Sequence, residues 1–304
     1  MRISIALCVY NGANFLQMQL DSINRQSRLP DELVVCDDCS SDDTIEILKA
    51  FSVQAKFSVR IYQNEKNLGV VANFLKAMTL CTGELIALAD QDDIWSPDKL
   101  AGAEKMLVET GDCANALYCS RLEYVDTGGM PIALSAIPGH VDFGNAVVEN
   151  IATGCSVVFG LGIRHRLLQA EPAVMLMHDW WAYLVATAFG RVVYDKTPQV
   201  KYRQHAENVA GWLPTPKKIR HRIRSLFARL RSGKNGADSL NQAARFIDAY
   251  PDLSAEKRHM VLELLALRQA GVIKRLHYAF NPRIYRNNPI ENFGLRIMIL
   301  MGWH

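Results

Sequence analysis

The chain has 304 residues, 49% of them hydrophobic and 21% charged. That is enough for one large domain or two smaller ones with a real core, and it excludes wholesale disorder. The net charge of +3 implies no strong electrostatic partner, and no nucleic-acid ligand is expected.

Ile3, Ile5, Leu7 and Val9 alternate with smaller residues and predict a first strand with one large and one small face. Tyr10-Asn11-Gly12 reads as a turn, and Phe15, Leu16, Met18, Leu20 and Ile23 follow with mainly helical spacing. Residues 33–36 form a second buried strand ending in Asp37-Asp38. The polar run 40–44, with Asp42 and two serines, can cap a helix carrying Ile45, Ile47, Leu48 and Phe51. A third strand is expected over 57–62, a turn over 64–69 and a helix over 70–80.

Residues 85–95, LIALADQDDIW, carry the strongest signal. Five apolar residues suit a buried strand, which stops at Asp90-Gln91-Asp92-Asp93. Three carboxylates in four residues repel one another and suit a bound cation. Magnesium takes one or two protein carboxylates and completes its shell with water and phosphate oxygens. The plainer reading is a helix start, with Ser96 as cap, Pro97 at the first helical position and Asp98 in the first turn. It accounts for Ser96 and Pro97 and leaves the aspartates unexplained. Four strands alternating with three helices, each strand ending in polar residues, predict a doubly wound, mostly parallel α/β sheet. Such sheets bind ligands beyond the carboxyl ends of their strands. Neither GxGxxG after strand one nor a GxxxxGK[ST] loop is present.

Beyond a helix from 98 to about 109, a short strand is expected over 116–120 and a long glycine- and proline-rich loop over 125–140. In the apolar run 151–159, Thr153-Gly154 marks either a close backbone approach or a plain strand start. A short helix follows over 164–170. In 177–181, MHDWW, Asp179 either caps the next helix or serves as a general base beside aromatic rings. Two further strands are expected over 191–194 and 199–202. The second ends in Arg203-Gln204-His205, groups suited to phosphate oxygens or a metal. From Leu213 the composition changes. Residues 217–234 hold eight Lys or Arg and no acid around Ile219, Ile223, Leu226, Phe227 and Leu230, the pattern of a basic amphipathic helix. Its apolar stripe either packs on the protein or meets an anionic membrane. The remaining chain reads as two or three helices, including 255–267 and 293–301. The division expected is a catalytic domain over 1–212 and a helical C-terminal region over 213–304, which carries no catalytic constellation.

Seven scattered cysteines read as reduced thiols of a cytosolic protein. Cys36 and Cys39 have C-x-x-C spacing but no second pair completes a zinc site. The N-terminus is a strand pattern rather than a signal peptide, and no apolar stretch is long enough to span a bilayer.

Taken in order, SIALCVYNG, VVCDDCSSDDT, GELIALADQDDIWSPDKL, TGCSVVF, HDWW and YRQH resemble the inverting family 2 glycosyltransferases of GT-A fold. Their wording is most similar to bacterial rhamnosyltransferases of surface-polysaccharide assembly. The resemblance covers about residues 3–208, and its motifs are specific as a set rather than singly. It implies Tyr10 and Asn11 near the nucleotide, Asp38 on the pyrimidine, and Asp90 on the ribose or the metal. It implies Asp92 as the main ligand of Mg²⁺ or Mn²⁺ with Asp93 beside it, and Asp179 as catalytic base. His205 would approach the diphosphate and metal, with Arg203 nearby. Thr153, Gly154, Cys155, His178 and Trp180 would border the acceptor. The family wording after the second strand is DDGS, and Cys39 replaces the glycine, which puts the turn there in question. The processive Q-x-x-R-W motif is absent, implying a non-processive enzyme.

The implied donor is dTDP-rhamnose, with a UDP-hexose such as UDP-galactose or UDP-glucose as the alternative. The implied acceptor is a saccharide, free or on a polyprenyl diphosphate, in O-antigen or capsule assembly. The implied location is cytoplasmic, peripheral on the inner face of the membrane if the basic helix meets lipid. A nucleotidyltransferase would want a basic glycine-rich loop after strand one, where YNGANFLQMQ has none. A non-catalytic sugar-nucleotide-binding or membrane scaffold protein would have no use for both Asp92 and Asp179.

Overall fold

The structure, a computed structural model, describes residues 1–205 and 237–302. The basic segment 217–234 lies outside the described residues. Strands β1 (Ile3–Val9), β2 (Glu32–Asp37), β3 (Ser58–Gln63) and β4 (Leu85–Asp90) pair in parallel in the order β3-β2-β1-β4. Helices α1 (Leu16–Asn24), α2 (Thr44–Gln54) and α3 (Val70–Leu80) connect them. This is the doubly wound half expected from the sequence.

The second half is mixed. β5 (Ile94–Trp95) and α4 (Lys99–Val108) lead to β6 (Ala116–Val125), β7 (Pro131–Leu134), α5 (Phe143–Ala146), β8 (Val158–Gly160), α6 (Leu161–Gln169), α7 (His178–Phe189) and β9 (Arg191–Arg203). β8 runs antiparallel between β4 and β6, β9 is parallel to β6, and β5 is antiparallel to β9. Two details differ from expectation. The long loop folds back as β7 on an extended β6, around a turn centred on Thr127-Gly128. The two strands expected over 191–202 are one strand, whose pairing with β6 shifts register near Pro198. A proline cannot donate to the ladder and favours such an irregularity.

The faces of β1 explain the layers. Ile3, Ile5, Leu7 and Val9 pack with α1, α2 and α4. Ala6 and Cys8, the small face, pack with α3, α6 and α7. Strand alternation sorts the two sets. Helices α8 (Ala237–Ala249), α9 (Ala255–Ala266), α10 (Val272–Phe280) and α11 (Pro289–Met301) complete the described chain. Phe246, Tyr250, Val261 and Leu264 join the cluster around α7. Trp181 Nε1 donates to the Tyr250 hydroxyl at 3.0 Å, and Lys257 Nζ donates to the carbonyls of Thr187 at 3.0 Å and Ala188 at 2.6 Å. The C-terminal helices are thus continuous with the core on that face. Among the described residues, no helix is long and apolar enough to cross a membrane.

Candidate active site

Register places the strand ends at one level. Cys8 is opposite both Cys36 and Asp90, and Val9 is opposite Asp37. Beyond them lies a cavity of about 850 Å³. Tyr10, Asn11, Asp38, Asp90, Asp92, Thr153, Gly154, His178, Asp179 and His205, all expected from the sequence, line it.

Where the resemblance expects the nucleotide, two side chains, Asp38 and Gln91, hold loops. Asp38 Oδ1 accepts from Leu68 N and Asn64 Nδ2, both at 2.7 Å, and Oδ2 accepts from Gly69 N at 2.9 Å. The carboxylate therefore shapes the 64–69 turn as well as lining the cavity. Gln91 Oε1 accepts from Tyr10 N at 2.7 Å and its Nε2 donates to Tyr10 O at 3.0 Å. A Cβ at Gly12 would fall 2.4 Å from Gln91 Oε1, so glycine is required for this clamp. Cys39 adopts φ +67°. The left-handed turn expected of the family's glycine is therefore kept, with the thiol donating to Asn64 O at 3.0 Å.

The acidic turn divides its aspartates. Asp92 Oδ2 lies 2.6 Å from His205 Nε2, and Asp90 faces the same cavity. Burial, then the charges of Asp92 and Asp179, raise the Asp90 carboxyl to about 8. Asp93 departs from the expectation of a cavity ligand. It is fully buried and does not line the cavity, and its Oδ1 accepts from Arg203 N at 3.2 Å. Its other oxygen has no hydrogen-bond partner among the described residues, and burial raises the carboxyl well above its ordinary range. Asp90, Asp93 and Cys155 bring ligand atoms within 4.8 Å of one another. Cys155 is itself buried beneath the wall, its thiol raised by burial. Lys99, a residue without a sequence signal of function, is buried here with Nζ 3.3 Å over the Trp95 ring. Burial lowers it to about 7. On the cavity wall, the Asp92 carboxylate and the His205 imidazole are donors a divalent ion such as Mg²⁺ or Mn²⁺ takes, with water and phosphate oxygens to complete its shell.

Arg203 does not line the cavity either. It is fully buried. Nε donates to Asp92 O at 3.0 Å, Nη1 donates to Thr127 O at 2.5 Å, and the guanidinium sits 4.8 Å from the Phe15 ring centroid. It braces the acidic turn against the β6–β7 hairpin and the start of α1.

Asp179, also on the cavity, lies in the first turn of α7. Its Oδ2 accepts from Gly154 N at 2.9 Å and its Oδ1 from Trp180 N at 2.6 Å. Burial raises its carboxyl to about 6, offset in part by those amides and by Asn150. It is a helix-start residue and a cavity carboxylate at once. Gly154 opens a short 3-10 turn, and a Cβ there would lie 3.2 Å from His178 Nε2, so the close-approach reading of this glycine holds. His178 stacks on Phe74 at 3.9 Å, and neither ring nitrogen has a hydrogen-bond partner among the described residues. Burial lowers it to about 3, so it is a neutral imidazole. Trp180 points away, with Nε1 donating to Ala146 O at 2.7 Å. Asn67, Asn73, Phe74, Asn150 and Tyr202 also line the cavity. Asn67 falls in the expected 64–69 turn, Asn150 just before the 151–159 run and Tyr202 at a strand end; Asn73 and Phe74, inside the expected helix, carry no sequence signal.

A strand-end cavity joining an acidic turn and a buried carboxylate, on a half-parallel, half-mixed sheet, is where such a fold binds its ligand. Solved structures of S. aureus TarS 1–349 share the fold. The complex with UDP gives a TM-score of 0.57 at 14% identity, and that with UDP-GlcNAc gives 0.58 at 15%. Both alignments cover 100% of this chain and 91% of TarS 1–349. Residues 4–132 match the family described as Glycosyl transferase family 2. The dTDP-rhamnosyl transferase RfbG of Shigella flexneri is 27% identical over 216 residues, 67% of this chain and 73% of that protein. The abequosyltransferase RfbV of Salmonella typhimurium is 30% identical over 125 residues, 40% of this chain and 37% of that protein. The family match over residues 4–132, the likeness to RfbG and the fold shared with TarS together support a family 2 glycosyltransferase of GT-A fold.

Proposed function

We propose that this enzyme is an inverting, metal-dependent, non-processive transferase that moves rhamnose from dTDP-rhamnose to a saccharide acceptor in bacterial O-antigen or capsule assembly. The observation that carries the mechanism is Asp179, a buried carboxylate raised to about 6 that lines the same cavity as Asp90, Asp92 and His205. At neutral pH it is ionised, yet its environment favours gaining a proton. It takes the proton of an acceptor hydroxyl as that oxygen attacks the anomeric carbon. The bond from that carbon to the diphosphate oxygen breaks on the opposite face, so the configuration inverts. Asp90, Asp92 and His205 would hold the Mg²⁺ or Mn²⁺ ion, which when bound neutralises charge on the departing nucleoside diphosphate. Tyr10, Asn11 and the turn organised by Asp38 form the nucleotide side. Thr153, Gly154 and neutral His178 form the acceptor side.

The dTDP-rhamnose reading is supported by the likeness to a protein named a dTDP-rhamnosyl transferase. A second reading, a UDP-hexose donor, is favoured by the shared fold with TarS, whose structures hold UDP and UDP-GlcNAc. Calorimetry with dTDP-rhamnose, UDP-glucose and UDP-galactose, each with and without Mn²⁺, separates them. Metal-dependent binding of dTDP-rhamnose alone is the expected result. Tight binding of a UDP-hexose with none of dTDP-rhamnose overturns the donor. Product anomeric configuration, read by NMR, tests inversion.

A further inference from the structure

Helices α10 and α11 turn apolar faces outward. Val272, Ile273, Leu276 and Phe280 share roughly a 100° arc of α10 at helical spacing. All four are exposed, Ile273 at 85% and Phe280 at 77%, while Tyr278 and Ala279 on the other side are buried. A surface helix of a globular protein does the reverse, burying its apolar stripe and exposing its polar face. α11 packs against α10 and adds Ile290, Met301 and Phe293, the last at 65% exposure. Single exposed apolar residues are ordinary, but a run on two packed helices marks an interaction surface.

The charge of α10 and of the loop after it is of one sign. Residues 271–289 contain Lys274, Arg275, Arg283 and Arg286 and no aspartate or glutamate. Lys274 and Arg283 are exposed. Arg275 is committed to the carbonyls of Leu267 and Arg268, and Arg286 pairs with Glu291. The hairpin between the helices is tied to the acceptor side of the cavity. Asn287 N donates to Glu149 Oε2 at 2.7 Å, Asn287 Oδ1 accepts from His140 N at 2.8 Å, and Tyr285 hydrogen-bonds Asp142. The residue after Glu149, Asn150, lines the cavity.

We propose that this face seats on an anionic phospholipid bilayer, with the α10 stripe in the headgroup boundary and Lys274 and Arg283 against lipid phosphates. Apolar burial and cation attraction add in such binding. A second copy of the chain is disfavoured, since a symmetric contact would press the two cationic sets together. The inference is independent of which sugar is transferred, and it does not use the basic segment 217–234.

The test is co-sedimentation of the full chain with vesicles of phosphatidylglycerol and phosphatidylcholine, and of phosphatidylcholine alone, at low and at roughly 0.1 M salt. Three variants are compared: Ile273→Ser/Phe280→Ser/Phe293→Ser, Lys274→Gln/Arg283→Gln, and Arg220→Gln/Arg222→Gln/Arg224→Gln/Arg229→Gln. The first three positions are exposed, so folding is retained, as a melting curve verifies. The expected result is binding to anionic vesicles that salt weakens, reduced about tenfold or more by the apolar triple change and severalfold by the Lys274/Arg283 change. Wild-type binding by the triple variant overturns the proposal, as does absence of wild-type binding at low salt. Loss confined to the 220–229 variant overturns it in favour of the basic segment. Ultracentrifugation showing a dimer that the triple change dissociates assigns the face to a second copy and equally overturns it.

Discussion

His205 Nε2 lies 2.6 Å from Asp92 Oδ2, across 113 positions of sequence. The end of β9 thereby meets the end of β4 on the cavity wall. If this pair holds a divalent ion on the donor diphosphate, both residues contribute to metal affinity. Asp92→Ala is expected to lower transfer by about 100-fold or more and to make nucleoside diphosphate binding insensitive to Mg²⁺ or Mn²⁺. His205→Asn is expected to weaken metal-dependent binding about 10- to 100-fold. Calorimetric titration with and without metal checks both; unchanged metal dependence in Asp92→Ala would remove Asp92 from the metal site.

Arg203 is predicted to act as a brace rather than a phosphate ligand. Arg203→Lys retains a cation but loses the planar fork that reaches Asp92 O and Thr127 O. Leaving those acceptors unsatisfied in the interior costs about 2–4 kcal/mol. Thermal melting should fall by several degrees while donor binding falls only in proportion to the disturbed Asp92. A variant of normal stability with sharply weakened diphosphate binding would return Arg203 to the cavity.

The turn at Cys39 offers a test of backbone strain. A non-glycine residue in the left-handed region costs roughly 1–2 kcal/mol, and φ at Cys39 is +67°. Cys39→Gly is expected to stabilise the protein by up to about 1 kcal/mol, after losing the thiol contact to Asn64 O. Denaturant unfolding checks this. A clear loss of stability would mean that the thiol contact outweighs the strain.

The strand ends were legible because an apolar run turning abruptly into acid leaves few alternatives, and register then carries Asp38 and Asp90 to one cavity. What one sequence does not encode locally is side-chain direction after the strand ends. Asp92 and Asp93 are adjacent, yet one meets His205 on the cavity wall and the other turns into the core beside Arg203. Arg203 itself looked like a phosphate ligand because a strand-end arginine commonly is one; only the placement of Phe15 and Thr127, distant in sequence, shows it enclosed. Gln91, among three aspartates, carries no charge to mark it, although it clamps Tyr10. The β6–β7 hairpin was hidden by Gly128, Gly129 and Pro131, residues that read as loop until β6 supplies a partner. Asp179 carried two readings because the geometry satisfies both: the first turn of a helix is also where its carboxylate meets Gly154 and the cavity.

The pH profile follows from Asp179. As a base it must be ionised, and its carboxyl is raised to about 6. The acidic limb of kcat/KM should therefore fall as pH drops through about 6, approaching about tenfold per unit below it. Asn150 helps hold this carboxyl down, so Asn150→Ala should move the limb to higher pH. A limb that stays in place in that variant would assign the titration to another group.

The most direct test of the account is the single-turnover transfer rate of Asp179→Asn, measured beside its donor affinity. The carboxamide keeps the shape at the start of α7 but cannot accept the acceptor's proton. The predicted result is a loss of transfer of about 10²- to 10⁴-fold, with donor affinity, metal dependence and melting temperature close to wild type. A variant that transfers sugar at a substantial fraction of the wild-type rate would contradict the assignment and leave Asp179 as a residue that only orders the Gly154 turn.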